Sequence, residues 1–381
     1  MTSPAASPTR RPNLSSTARS ADREGYYQEV AVVPLHPQFT LFKGNVLRAY
    51  GSWPPPAAII SDGAYGVRGF HGDTTGVEDL VDWYLPHVTA WDRAASPATT
   101  LWFWNTEIGW ATVHPLLAAH GWEYVQTVTW DKGTAHIAGN VNGKTIRRFP
   151  VVSEVSVLYQ RKLLINTEDG AMDAKRWLRH EWKRSGLPLN RANEACGVKN
   201  AATRKYLTQD WLWYWPPGHM VERLAAYANE RGDPAGRPYF SLDGSASSTA
   251  EEWDALRYGW NHTHGLTNVW QRPPLHGAER RKGGLVRSAP RVHNPSEQSA
   301  AHLNQKPLEF MLRQVAAVTE PGDVVWEPFG GLASASVAAV ELGRRAYVAE
   351  TNQLFQQIAL ERLEEAASAA LFDREAIIKW A

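Results

Sequence analysis

Val324-Val325-Trp326-Glu327-Pro328-Phe329-Gly330-Gly331-Leu332-Ala333-Ser334, near the C-terminus of a 381-residue chain, is the stretch on which the fold turns. Three large apolar residues read as a buried strand, the small residues after Phe329 as a tight turn, and Ala335 to Leu342 as a helix. A second strand, Ala346 to Ala349, then ends at Glu350. A small-residue turn between strand and helix lets a ligand approach the backbone, and an acid after the next strand can accept both hydroxyls of a ribose. The stretch therefore fits a nucleoside ligand. Taken alone, it fits a glycine turn that only joins strand to helix equally well.

Outward from this unit, Pro307 to Val318 reads as a helix, Glu320-Pro321-Gly322-Asp323 as a turn and Leu354 to Ala366 as a helix. The N-terminal half alternates in the same way. Short apolar runs at Val30 to Val33, Phe39 to Phe42 and Ala57 to Ile60 precede a helical pattern over Val77 to Ala95, which Pro86 should kink or end. Thr99 to Asn105 and Tyr124 to Trp130 read as strands around a helix from Gly109 to His120, and Glu154 to Arg161 as one more strand. Strand and helix in alternation predict an α/β fold built on a mainly parallel sheet. Between Lys162 and Ser299 the alternation fades into a region rich in Trp, Arg, Pro and Gly. The predicted organisation is a disordered tail (1–25), a first catalytic part (26–161), an inserted recognition region (162–299) and a second catalytic part (300–381).

With 43% hydrophobic and 21% charged residues, the chain can bury a large core. It holds no apolar run of membrane-spanning length and no secretory leader pattern, so the cytoplasm is the expected location. A single cysteine, Cys196, excludes an internal disulfide, and His262 with His264 lack the partners a metal site needs. The formal net charge of +1 gives no global attraction to nucleic acid, so any such argument rests on local clusters. The 18 tryptophans are assigned first to core packing and only second to stacking on bases.

The order Asn304-Gln305-Lys306-Pro307, Pro321-Gly322-Asp323, Glu327-Pro328-Phe329-Gly330-Gly331, Leu342-Gly343-Arg344, Glu350 and Ala359-Leu360-Glu361-Arg362-Leu363 resembles the S-adenosylmethionine-dependent DNA amino-methyltransferases block for block. The resemblance implies a Rossmann-like methyltransferase sheet flanked by helices, with an inserted, mostly helical and irregular target-recognition region. It implies S-adenosylmethionine as cofactor, bound by Glu327, Pro328, Phe329, Gly330, Gly331, Ala333, Ser334 and Glu350, with Lys306 at the cofactor edge. Glu327, Ala333 and Ser334 replace the family's Asp, second Gly and Thr.

The family also carries an Asp-Pro-Pro-Tyr type block at a strand end. Here Asp62-Gly63-Ala64-Tyr65 follows Ile59-Ile60-Ser61, behind the lead-in Leu41-Phe42-Lys43-Gly44-Asn45. The amine block thus precedes the cofactor block, the permuted order of the family. Thr100 to Trp104, Gly121-Trp122-Glu123-Tyr124 and Thr129-Trp130-Asp131-Lys132-Gly133 resemble its intermediate segments. An exocyclic base amine is a poor nucleophile because its lone pair is delocalised into the ring. The Asp62 carboxylate and Gly63 carbonyl would accept its two hydrogens and free that pair, while the Tyr65 ring would stack on the extruded base. Asp at the head of the block favours adenine over cytosine, because cytosine-amino members usually begin it with serine. Asp-Gly as a plain strand-closing turn is the structural alternative.

Leu189 to Leu207 has the pattern of a helix-turn-helix, with Lys199, Asn200, Arg204 and Lys205 placed on its second helix as DNA contacts. Arg280, Arg281 and Lys282, with Arg287 and Arg291, form a second basic cluster suited to phosphates. Trp215-Pro216-Pro217-Gly218 has no acid or serine directly before its prolines and reads as a turn. Double-stranded DNA with a flipped base is the implied substrate, and a homodimer and a cognate restriction nuclease are compatible partners. Two other readings stay open: a degenerate methyltransferase fold that only binds DNA, and an enzyme acting on RNA or on an already modified base.

Overall fold

The computed structural model describes residues 38–67, 72–134, 147–276, 279 and 304–379. The tail 1–25, the run Val30 to Val33, and Arg280, Arg281, Lys282, Arg287 and Arg291 lie outside the described residues.

Eight strands form one sheet: β1 (Phe39–Lys43), β2 (Ala58–Ser61), β3 (Thr100–Asn105), β4 (Trp122–Asp131), β5 (Ser153–Arg161), β8 (Val269–Gln271), β9 (Val324–Glu327) and β10 (Arg345–Glu350). Their spatial order is β1-β10-β9-β2-β3-β5-β4-β8. All pairings are parallel except β3 with β5 and β5 with β4.

The central strands are buried on both faces, and their side chains divide by the two-residue period of a strand. Ile59, Leu101, Phe103 and Trp326 pack under α1 (Leu80–Ala94) and α2 (Glu107–Ala119). Ala58, Ile60, Trp102, Trp104 and Val325 face the opposite side, under α7 (Leu308–Val318), α8 (Ser334–Glu341) and α9 (Gln353–Lys379). The chain leaving β2 therefore turns to one face and the chain leaving β9 to the other. In open α/β sheets, that divergence between neighbouring parallel strands creates a ligand crevice at their C-terminal ends.

Pro86 neither ends α1 nor keeps it from reaching Ala94, and Pro115 likewise sits inside α2. Burial of Leu80, Tyr84, Val88 and Trp91 against the sheet holds the helix through the missing amide. Trp91, Trp102, Trp104, Trp122 and Trp326 are fully buried in these cores.

The insert has a core of its own. A hairpin of β6 (Ile165–Thr167) and β7 (Gly170–Met172) leads into α3 (Ala174–Arg184), followed by α4 (Arg191–Cys196), α5 (Gly218–Arg231) and α6 (Ala250–Asp254). Trp177, Trp182, Trp253, Leu224 and Phe240 are buried together there. Trp215 stacks on Trp253 with ring centroids 4.7 Å apart, and the Trp253 indole donates to the Pro216 carbonyl at 2.8 Å, so Trp215-Pro216-Pro217 is a packed turn that starts α5. Cys196 is buried, which pushes its thiol up to about 12.

The helix-turn-helix expectation needs correction. Gly197, at φ +66°, ends α4 after six residues, and the second element is a five-residue π-helical turn over Ala202–Tyr206. Lys199 and Asn200 lie in the connecting turn, and only Arg204 and Lys205 are on the second element. Asn193 bonds both the amide and the hydroxyl of Thr203, and Tyr206 and Leu207 are buried, so local side-chain bonding and the insert's core override helix extension. All four polar residues are exposed.

The insert is pinned by Glu181, which is wholly buried and accepts from Arg184, Arg237 and the Phe240 amide. Those donors hold its carboxyl below the usual range against the opposing effect of burial. Glu181→Ala would leave two arginines and an amide without their acceptor and is expected to cost about 3 to 5 kcal/mol. Urea denaturation of the variant at neutral pH measures this; a loss under about 1 kcal/mol would show that the cluster is not structural.

Candidate functional site

The loop after β2 is held from three sides. Asp73 Oδ1 accepts from the amides of Tyr65 (2.9 Å), Gly66 (2.8 Å) and Thr74 (2.7 Å). The Ala64 carbonyl accepts from the Tyr84 hydroxyl (3.0 Å) and the Asn105 amide nitrogen (2.9 Å). Burial raises the Tyr84 hydroxyl well above its ordinary value, so it stays a neutral donor. Asp73, Tyr84 and Asn105 thus supply by hydrogen bonding the stiffness that two prolines would have supplied covalently. A Cβ on Gly63 would stand 2.7 Å from the Tyr84 hydroxyl and 2.8 Å from the Phe329 ring, so the glycine is what lets the two loops close on one another.

Asp62 Oδ1 accepts from the Tyr65 hydroxyl at 2.8 Å and from Lys306 Nζ at 2.9 Å. Tyr65 therefore contributes more than a ring: its hydroxyl orients the acid. The Lys306 ammonium is buried between Asp62 and Glu154, 3.3 Å from Glu154 Oε2, beside the rings of Tyr65 and Trp104. Lys132 pairs with the other oxygen of Glu154. Sequence reading passed over Glu154 and Asp73 because each lies in an ordinary local context and acquires its partners only through tertiary contact.

Across the crevice, the loop after β9 is equally constrained. The Gly330 amide donates to the Ala349 carbonyl at 2.8 Å, and a Cβ there would meet Val348 at 2.5 Å. Gly331 is at φ +52° and donates to Glu350 Oε2 at 2.7 Å. Arg362 of α9 donates to the Leu332 carbonyl and to Ser334 Oγ, which gives the arginine of the Ala-x-x-Arg-Leu segment its place. Ala333, the N-cap of α8, sits at φ +57°, a region that disfavours a Cβ.

Glu327 differs from its sequence assignment as a cofactor ligand. It is buried, and both of its oxygens accept from the first turn of α8, Oε1 from the Ala335 amide (3.0 Å) and Oε2 from the Ser336 amide (2.7 Å). This is an N-cap contributed by the preceding strand. It fixes the loop between the two elements and so acts on a ligand through the loop.

Glu350 is half-buried at the end of β10. Oε1 accepts from the Asn352 amide at 2.7 Å and from the Thr351 hydroxyl at 3.4 Å, and Oε2 accepts from Gly331, so Oε2 keeps one lone pair for a ligand hydroxyl. Burial raises its carboxyl above the ordinary value. A carboxylate with an acceptor position left on Oε2, a half-buried Phe329 ring and a glycine backbone turn form a set of groups that fits the ribose and base of a nucleoside cofactor. Pro328 and Ser334 are buried in the same loop. Among the described residues there is no group of three or more His, Cys, Asp or Glu arranged for a metal ion, and no helix long and apolar enough to cross a membrane.

The chain is similar to several known proteins. Residues 53–361 match the family described as DNA methylase, N6 and N4 type. A DNA adenine methyltransferase of Escherichia coli K12, YhdJ, is 30% identical over 102 residues, a match spanning 27% of this chain and 35% of that relative's length. Similar solved structures include a DNA modification methylase of Thermus thermophilus complexed with S-adenosyl-L-methionine (15% identity, TM-score 0.42, covering 86% of this chain and 93% of that one). Another is the cytosine-N4-specific PvuII DNA methyltransferase (11% identity, TM-score 0.41, covering 88% and 95%).

Burial pushes Glu327 up to about 7. A carboxyl whose folded value is raised binds its proton more tightly folded than unfolded. The associated stability is present at acid pH and is lost as pH rises towards about 7. Glu327→Gln cannot ionise, so the stability of the wild type relative to this variant should fall by about 2 to 3 kcal/mol between about pH 4.5 and about pH 8. Urea denaturation of both proteins at the two pH values tests this; a pH-independent difference would mean that Glu327 titrates normally.

Proposed function

The chain belongs to the N6/N4 DNA methylase family, and on that premise we propose that it transfers a methyl group from S-adenosylmethionine to an exocyclic base amine of double-stranded DNA, adenine N6 being the acceptor. The observation that carries this reading is the meeting of the two loops: Asp62 to Tyr65 after β2 and Phe329 to Ser334 after β9 stand side by side at the C-terminal ends of adjacent parallel strands. The choice of adenine is supported by an Asp at the head of the amine block and by the match to an adenine methyltransferase.

Glu350 would hold the cofactor ribose and the Phe329 to Ser334 backbone its methionine end. S-adenosylmethionine, when bound, supplies an electrophilic methyl on a sulfonium. On the protein side, Oδ1 of Asp62 is bonded by Tyr65 and Lys306, which leaves Oδ2 to accept one amine hydrogen while the Gly63 carbonyl accepts the other. Withdrawing both hydrogens into acceptors localises the nitrogen lone pair, the carboxylate stabilises the positive charge that the nitrogen gains as the new bond forms, and one of the two amine protons then leaves by way of Asp62 Oδ2 to water, which restores a neutral amine. The Tyr65 ring would stack on the extruded base. Lys199, Asn200, Arg204 and Lys205 on the insert, and Arg280, Arg281 and Lys282, would meet phosphates. A homodimer and a cognate restriction nuclease belong to the same reading.

Asp62→Ala should lower kcat by at least roughly 100-fold, the cost of about 3 kcal/mol of transition-state stabilisation, while S-adenosylmethionine affinity by calorimetry stays within about twofold. Near wild-type turnover by the folded variant would remove Asp62 from the chemistry. Glu350→Ala has the converse signature, a loss of cofactor affinity of roughly 10-fold or more. Tyr65→Phe keeps the ring and loses the bond to Asp62, so kcat should drop by roughly 10-fold with DNA affinity unchanged; an unaffected kcat would leave the hydroxyl without a role.

A further inference from the structure

Behind Asp62 runs a chain of alternating charge that the methyl-transfer chemistry does not itself require. We propose that Glu154 is a positioning residue for the reaction: by gripping the Lys306 ammonium, it fixes the Asp62 carboxylate with Oδ2 turned to the base amine. The proposal rests on the reading of Asp62 as the amine acceptor.

The geometry is specific. Lys306 comes from the segment before α7, Asp62 from the end of β2, Glu154 from β5 and Lys132 from the end of β4. Lys306 Nζ lies 2.9 Å from Asp62 Oδ1 and 3.3 Å from Glu154 Oε2, and Lys132 pairs with Glu154 Oε1. The Lys306 side chain is 4% exposed, with the rings of Tyr65 and Trp104 at 5.0 and 5.4 Å from its ammonium. The titratable and charged groups facing it are thus Asp62, Glu154 and Tyr65, with Lys132 one step further out.

A buried ion network is a weak source of stability compared with apolar side chains of similar volume, so its presence against the reacting loop calls for another account. With Asp62 as its single anionic partner, a flexible lysine would follow that carboxylate through its rotamers. With Glu154 as a second, strand-borne anchor, Nζ becomes a fixed point and Asp62 has one favoured orientation. Glu154 also offsets the positive charge of Lys306, which would otherwise oppose the charge developing on the amine nitrogen. Misplacement of a catalytic group by about 1 Å can cost roughly 100-fold in rate, so a modest loosening is measurable. The neighbouring charges hold Lys306 protonated and Glu154 ionised despite burial.

The test is Glu154→Gln, which keeps the shape and removes the charge. Expected results are a kcat lowered by roughly 10-fold or more, S-adenosylmethionine Kd and DNA KM within about twofold of wild type, and partial recovery in Glu154→Asp. Because Lys306 loses one of its two anionic neighbours, its proton should leave at lower pH. The kcat of the variant should therefore fall on the alkaline side at a pH where wild type is flat, and 13C NMR of labelled lysine should show the Lys306 titration moved down. A folded Glu154→Gln protein with wild-type kcat and pH profile overturns the proposal, as does a Lys306 titration unmoved by the substitution. A kcat loss accompanied by an equal loss of cofactor affinity also overturns it, as the mark of a general structural role. Wild-type protein that transfers no methyl to DNA would instead contradict the functional reading, and the lysine titration would still decide whether Glu154 controls Lys306.

Discussion

The parallel pairing of β2 with β9, in which Ala58 sits opposite Val325 and Ile59 opposite Trp326, holds together two stretches from opposite ends of a 381-residue chain. Side chains of these strands go alternately to the α1–α2 face and to the α7–α9 face, and the helices that follow diverge to opposite sides. A crevice at the strand ends is a geometric consequence of that divergence. Its two walls are the Asp62 loop and the Phe329 loop, and the missing Cβ of Gly63 sets how closely they approach.

Each wall is stiffened by buried or half-buried acids bonded to backbone amides or to cations. Asp73 gathers three amides on one side, and Glu327 gathers two on the other while capping α8. Glu350 joins the ends of the second loop and keeps acceptor capacity for a ligand. The departures from the family pattern make sense within this frame. Glu327 has the reach of an extra methylene and uses both oxygens on the α8 amides. Gly63 and Ala64 give up proline rigidity, and hydrogen bonds donated by Tyr84 and Asn105 and accepted by Asp73 restore it. Ala333 carries a Cβ at φ +57°, a local cost that a glycine there would not have.

Much of the sheet was legible because its signals are local. A run such as Val324-Val325-Trp326 closed by a small-residue turn, or Thr100 to Asn105, announces a buried strand without knowledge of its neighbours. The two sequence blocks also singled out Asp62, Tyr65 and Glu350, which the fold sets on the loop after β2 and at the end of β10. What could not be read was partnership across the fold. The resemblance put Lys306 at the cofactor edge; its ion pairs with Asp62 and Glu154 come only from the packing of α7 under Trp104. The resemblance put Glu327 among the cofactor contacts, and its side chain points into the first turn of α8. Local propensity also misled at Leu189 to Leu207, where the Asn193–Thr203 bonds and the burial of Tyr206 and Leu207 cut the second helix to a single turn. At Pro86 a local breaker was overridden by the burial of four neighbouring side chains.

In the proposed reaction, one crevice assembled from both ends of the chain moves a methyl group onto a base amine. Incubation of the protein with methyl-labelled S-adenosylmethionine and unmodified genomic DNA, followed by enzymatic digestion and separation of the nucleosides, addresses it most directly. Label is expected in N6-methyldeoxyadenosine. Label confined to C5-methyldeoxycytidine, or DNA left unlabelled by protein that binds the cofactor, would contradict it.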